Sequence, residues 1–430
     1  MARALSIARS SYERHRILVW LCVVIFVNQL GFGSIIPIVP LYAQAFGVSQ
    51  LAIGLTIAVY GLARFLANMP TGQLADRIGR RWSLTLGELV TAVGNVLCAV
   101  SGSYEQFLLA RFVAGAGAAM VLTSGQIVLA DTATPANRGR LMAVYQGVFL
   151  FAVGFGPLPG GLLGELLGLA APFFVFAGLG LVAAAVAFRW IPETRGHRAR
   201  GRPDAPERAS PSPTRPPAAE GLPPLGEQLR LLAGHLGFVL VSLITFVQFF
   251  ARTGAVFNVV PVLGKVRLGL GPGEVGFGLT LVSVFNLAMV QFSGLLADRW
   301  GRKVAIVPAT LVAGVAMFGL AVAPSYPWFV AGLALWGLAS GLSGPAPAAY
   351  AADVAPRGMN ATTLSAYRMI SDFGYVVGPL LLGWLADVGS PEIALALTAA
   401  LFAVSGALFA LLAPETHKAR GDTHRPPGRG

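Results

Sequence analysis

Charge is scarce in this sequence. Of its 430 residues only 12% are Asp, Glu, Lys or Arg, about half the share of an ordinary soluble domain. Cysteine is scarcer: Cys22 and Cys98 both fall inside apolar runs, so neither a disulfide framework nor a metal cluster is indicated, and both read as packing residues. No GxxxxGK[ST] stretch is present to cradle a nucleotide, and no Ser/His/Asp, metal or cofactor constellation appears, which argues against an enzyme. What is abundant is apolar surface, at 55% of residues with a mean hydropathy of +0.69. A soluble core could not hide so many long apolar runs, whereas a bilayer needs about 20 apolar residues for each spanning helix. Lipid offers the backbone no hydrogen-bond partners and the runs are too long for barrel strands, so the spans are helices.

Twelve apolar segments are readable, at about 17–44, 50–71, 82–101, 104–130, 139–165, 170–191, 232–263, 273–293, 303–323, 326–351, 360–386 and 391–413. The first run, Ile17 to Ala45, follows Arg3, Arg9, Arg14 and Arg16 and is too long for a signal sequence, so it reads as a span. Of the 31 Lys and Arg, 25 lie before the first span, in the even-numbered loops or in the C-terminal tail. The odd-numbered loops hold only Lys265 and Arg267, and four Arg lie within spans. By the positive-inside rule both termini are cytoplasmic, and the net charge of +12 reports topology rather than nucleic-acid binding. The expectation is a monomeric integral protein of the plasma membrane, the inner membrane in a diderm bacterium. Gly196 to Gly226, rich in Pro, Arg and Ala, lacks apolar periodicity and reads as a flexible linker. The organisation is therefore a first half at 1–194, a linker at 195–231, and a second half with tail at 232–430.

The halves repeat. GQLADRIGRR at Gly72 to Arg81 returns 222 residues later as GLLADRWGRK at Gly294 to Lys303. At the same distance Asp131 pairs with Asp353, Gly115 with Gly337, Gly156-Pro157 with Gly378-Pro379, Gly161 with Gly383, and Pro192-Glu193-Thr194 with Pro414-Glu415-Thr416. Gly33 and Pro40 match Gly254 and Pro261 at an offset of 221. Two six-helix units of like orientation enclosing a midplane path are an architecture of secondary transporters, driven here by a gradient because no nucleotide motif is present.

These residues resemble the major facilitator superfamily and, more narrowly, its twelve-span drug/proton antiporters. The resemblance rests on the repeated Gly-x-Leu-Ala-Asp-Arg-x-Gly-Arg-Arg loop, on the span-four stretch Leu108 to Met120 around Arg111, and on GFGPLPGG at Gly154 to Gly161, where Ala143 and Ala152 replace two upstream glycines of the family pattern. It implies an all-helical membrane fold of two parallel six-helix repeats. It also implies a gating network of Asp76, Arg77, Arg80, Arg81, Asp131 and Arg138, with Asp298, Arg299, Arg302, Asp353 and Arg357 as counterparts, holding the halves closed on the inside. Gly72 and Gly79, repeated as Gly294 and Gly301, would allow tight turns and close helix approach, and Gly156, Pro157, Gly160 and Gly161 a hinge and seal.

Ionisable groups inside spans are expensive and mark function. Glu88, Arg111, Arg368 and Asp372 are the candidates for proton coupling. Asp372 and Arg368 stand four residues apart on one helix face, and Asp372 is about 18 Å in from the span's start. Glu88 is expected about 9 Å in, within reach of water. Arg111 keeps its proton and would act on a nearby carboxylate or hold water rather than carry the proton itself. Asn28, Gln29, Tyr60, Arg64, Gln146, Gln248, Arg252, Asn258, Trp336, Tyr367 and Tyr375 are candidates to line the path. The expected function is proton-coupled export of small apolar or amphipathic compounds by alternating access, with the proton gradient as energy source and no cofactor. Four intramembrane Arg against two acids leave open an organic anion or other small metabolite as cargo, and a non-transporting scaffold or sensor is a further alternative.

Overall fold

The computed structural model describes residues 2–133, 138–194, 224–356 and 358–416. Side chains are described from Arg16 onward, except those of Met69, Arg138, Asp298 and Ala361. Most of the linker, Arg357 and the tail beyond Thr416 thus lie outside the described residues. Twelve helices among the described residues are long and apolar enough to cross a membrane: Arg16–Ile35, Gln50–Asn68, Arg80–Ala99, Tyr104–Thr132, Arg140–Leu167, Ala171–Trp190, Leu236–Leu268, Pro272–Ala297, Arg302–Ala321, Tyr326–Asp353, Thr362–Val388 and Pro391–Leu412. They are called the first to twelfth spans below. With twelve crossings, the start of the first span and the end of the twelfth lie on one side of the bundle, called the terminal face, and the odd-numbered loops lie on the opposite, far face.

The second helix continues beyond its apolar stretch to Ile78, for 29 residues in all. At 1.5 Å per residue that is about 44 Å, longer than the ~30 Å hydrocarbon, so the first charged repeat projects past the lipid. Two departures from the sequence reading concern helix regularity. The seventh span starts at Leu236, not at residue 232, because a separate amphipathic helix, Leu225–Gly234, precedes it. That helix occupies the end of the segment read as linker and is tied down by Thr362, whose hydroxyl donates to Gln228 Oε1 at 2.7 Å, and by Leu232 packing with Phe238 and Met359. The seventh span is also not uniformly α-helical: Ala251–Val259 forms a π-helix. Such widened turns are rare and recur at functional sites.

The halves meet where glycine lets backbones touch. Between the fifth and eighth spans, a Cβ added at Gly161 would strike the Pro272 carbonyl, and one at Gly276 the Pro157 carbonyl. Between the second and eleventh spans, Gly54 faces the Pro379 carbonyl and Gly383 the Gln50–Leu51 backbone. The two seams are copies, since Gly54 and Gly276, like Gly161 and Gly383, stand 222 residues apart. Within each half Gly156 lies on Gly33, and Gly378 on Gly254. The seams lie toward the far face, so the halves are shut there, and the space between them lies on the terminal side.

Widening the seam should keep the far face from closing. In a chain with Cys22 and Cys98 changed to Ala and Ser283 changed to Cys as reporter, Gly276→Leu is expected to raise labelling by an impermeant thiol reagent from that face several-fold. Labelling at the parent rate would show that close backbone contact is not what shuts it.

Candidate transport site

Two cavities share a wall between the halves. The deeper one, about 190 Å³, takes Gln29 and Phe32 from the first span, Arg64 from the second, Arg252 from the seventh and Trp336 from the tenth. The larger, about 600 Å³, lies toward the terminal face between the second and eleventh spans and is lined by Leu62, Arg64, Phe65, Met369, Asp372 and Phe373. Tyr375 and Phe249 border both. Asp372 lies ten residues into its span, about 15 Å along the axis and so near the midplane.

The eleven path candidates divide. Gln29, Arg64, Arg252, Trp336 and Tyr375 line the deeper cavity. Asn28 is fully buried and donates to Glu88. Tyr60 lies beneath the Arg111 guanidinium, 4.3 Å from its ring centroid. Gln248 donates to Ser343 Oγ at 2.6 Å, Asn258 donates to the Pro379 carbonyl at 3.1 Å, and Tyr367 accepts from Thr245 at 2.7 Å. Gln146 is exposed and lies outside both cavity walls. None of these six lines either cavity, and all but Gln146 make a contact within the bundle.

The proton-coupling candidates depart from expectation at Glu88 and at the Arg368–Asp372 pair. Glu88 is sealed rather than hydrated: it is 0% exposed, Asn28 Nδ2 donates to its Oε2 at 3.2 Å, and its Oε1 has no partner among the described residues. The third helix starts already at Arg80 rather than at residue 82, which puts Glu88 about 12 Å in, and the first span covers it. Arg111 has no carboxylate at ion-pair distance among the described residues. Its Nε donates to the Thr56 carbonyl at 3.4 Å, its Nη1 is unpartnered, and its charge rests on the Tyr60 ring. Arg368 and Asp372 share a face but form no ion pair within 4.0 Å. Both are exposed, and Asp372 shares a cavity wall with Arg64 from the other half.

The charged repeats build one network twice. In the first half Arg80 reaches Asp76 at 2.8 Å and Asp131 at 3.2 Å, and its Nη1 donates to the Ala75 carbonyl. Glu193 accepts from the Arg80 and Arg81 backbone N–H groups at 3.0 and 3.3 Å, capping the third helix, while the Thr194 hydroxyl donates to Asp131. In the second half Arg302 reaches Asp353 at 3.2 Å, Glu415 accepts from the Arg302 and Lys303 N–H groups, and Thr416 donates to Asp353. Gly79 (φ 98°) and Gly301 (φ 107°) make the turns in a conformation that L-residues avoid. A side chain at either would also displace the capping glutamate. Gly72 and Gly294 face open space, contrary to the expected close approach. Arg81 lies over the Phe188 ring at 4.3 Å, and Arg77 and Arg299 are exposed. The side chains of Arg138 and Asp298, and all of Arg357, lie outside the described residues.

These described bonds staple helices within one half. The charged bridges between described side chains on this face, those of Arg80 and Arg302, each run within one half. The capping role of Glu193, Thr194, Glu415 and Thr416 was missing from the sequence reading, although the repeated Pro-Glu-Thr at the common offset was its signal.

A twelve-span bundle of two like halves, with a polar-floored cavity between them, is the build of a membrane transporter. The family model described as Major Facilitator Superfamily matches residues 21–271 and again 241–428, and the chain belongs to that superfamily. Relatives include an uncharacterized MFS-type transporter of Methanocaldococcus jannaschii, 22% identical over 87% of this chain and 92% of that one. Multidrug resistance protein 2 of Bacillus subtilis is 23% identical over 88% and 91%. The quinolone resistance protein NorA of Staphylococcus aureus is 26% identical over 37% and 41%. A bacterial homolog of the human lysosomal transporter Spinster, solved inward-facing and occupied, has a TM-score of 0.73 at 17% identity, covering 93% of this chain and 96% of that one.

The two networks differ in depth. The Arg80 and Asp131 side chains are 15% and 8% exposed, those of Arg302 and Asp353 20% and 35%. Breaking a buried pair costs about 3–5 kcal/mol, an exposed one about 0–1. Arg80→Ala is therefore expected to lower the unfolding temperature in detergent by several degrees more than Arg302→Ala, and the reverse order would contradict this account.

Proposed function

We propose that the protein exports small amphipathic compounds by alternating access, drawing on the proton gradient. The observation that carries this reading is the cavity between the halves. Its walls are apolar through Leu62, Phe65, Met369 and Phe373, it is shut toward the far face, and it holds one carboxylate, Asp372, near the midplane. A carboxylate there can exchange protons with cavity water, and its charge state alters the field at Arg64 and Arg368. Glu88, sealed away from the cavity, has a lesser part in coupling. The terminal face is cytoplasmic in this reading, on the strength of its Lys and Arg, so the conformation is inward-facing. Relatives named for multidrug, quinolone and chloramphenicol resistance support export. The protein works as a monomer without a cofactor.

A second reading is favoured by Arg252. Its side chain is exposed to the deeper cavity, its guanidinium is 5.8 Å from the Phe257 ring centroid, and no carboxylate lies within ion-pair distance among the described residues. With Arg64 across the gap, it gives the cavity floor a positive character that suits an anionic group on the cargo.

Accumulation of a lipophilic drug in inverted vesicles is expected to collapse when an uncoupler is added, and indifference to the uncoupler would sink the proton reading. Asp372→Asn should reduce gradient-driven accumulation at least tenfold while leaving substrate counterflow measurable, whereas Glu88→Gln should stay within about threefold of the parent. Competition by anionic against cationic congeners in the same vesicles separates the two cargo classes.

A further inference from the structure

We infer that Glu165 and Asp387 are a paired lock on the far face, each holding the two halves together by accepting hydrogen bonds from the first N–H groups of a helix in the opposite half. Asp387 ends the eleventh span. Its Oδ1 accepts from Gln50 N at 2.7 Å and its Oδ2 from Leu51 N at 2.8 Å, both at the start of the second span. Glu165 ends the fifth span, and its Oε2 accepts from Gly273 N at 2.9 Å at the start of the eighth. The two devices are copies: Glu165 and Asp387 are 222 residues apart, and so are Leu51 and Gly273. The position matching Gln50 is Pro272, which has no N–H, and that is why Glu165 holds one donor where Asp387 holds two. Gly273 admits the Glu165 carboxylate, which a side chain there would displace.

Three features make these bonds a lock. First, acceptor and donors belong to different halves, so the bonds exist only while the far face is closed. Second, the donors are groups that their own helices leave free. The first N–H groups of a helix have no intrahelical partner and carry about half a positive charge. The second span supplies only one of its own caps, Ser49 Oγ accepting from Ala52 N at 3.3 Å, and takes the others from Asp387. In the eighth, Glu274 is spent on Gly271 N. Third, ordinary counter-ions are missing here. The odd-numbered loops hold only Lys265 and Arg267, and Arg267 is engaged by Glu392 at 3.5 Å and by the Ala321 carbonyl. Where topology keeps Lys and Arg away, helix ends supply the positive pole instead.

The lock rests on the alternating-access reading but not on any cargo, and its test needs none. The full chain in membranes, with Cys22 and Cys98 changed to Ala and the Ser283→Cys reporter facing Gly154 across the seam, is labelled by an impermeant thiol reagent from the far face. Asp387→Asn is expected to raise the labelling rate about fivefold and Glu165→Gln about twofold, with the double variant near the product of the two. Gln50→Pro supplies a test that spares the fold. Proline is welcome at a first helical position, Ser49 already has the extended backbone it needs (ψ 162°), and the change makes the second span copy the eighth. It should raise labelling about twofold. Glu392→Gln, an acid of the same face paired within its own half, should leave the rate unchanged. Parent-rate labelling in both the double variant and Gln50→Pro would overturn the lock, as would an equal rise from Glu392→Gln. A drug-transport failure with the labelling pattern intact would count against the exporter reading alone.

Discussion

Two helix backbones can touch only where no side chain stands between them, and in lipid that contact must replace the hydrophobic force that drives helices together in water. Gly54, Gly161, Gly276 and Gly383 set where the halves of this transporter meet. Because all four lie toward one face, closing that face leaves space at the other, and the walls of that space become the site. Arg64, Arg252, Tyr375 and Asp372 stand on those walls. They occupy the part of the interface that the glycines leave apart.

Charge is used differently at the two faces, for one reason. The terminal face is rich in Lys and Arg, and there Arg80 and Arg302 gather carboxylates within each half and tie its helices together. The far face is poor in them, and there carboxylates reach across to bare helix starts. A rocking transporter needs both arrangements: bonds inside a half that persist through the cycle, and bonds between halves that form and break with it.

Much of this was legible before any coordinates. Hydropathy located twelve spans, and a fixed offset revealed the duplication and paired the residues of the charged network. Periodicity gives a residue's depth along a helix but neither the helix's rotation in the bundle nor its neighbours. For that reason depth alone puts Glu88 in reach of water although Asn28 and the first span cover it, does not reveal the Tyr60 ring beneath Arg111, and pairs Asp372 with Arg368 although Arg64 lines the same cavity. Glu165 and Asp387 drew no notice because a single acid at the end of a span is unremarkable in sequence. Their significance comes from the opposite half, which no local pattern contains.

The two charged loops also record how much change their own geometry tolerates. Gln73 became Leu295, Ile78 became Trp300 and Trp82 became Val304 between the copies, and the hydrophobic side chains at these places are 40% exposed or more. Gly79, Arg80 and Asp131 match their counterparts, and each is fixed by a backbone conformation or a salt bridge. Arg81 and Lys303 differ within the joint yet keep the same backbone bond to Glu193 and Glu415, so one chain holds two versions of the same mechanical part.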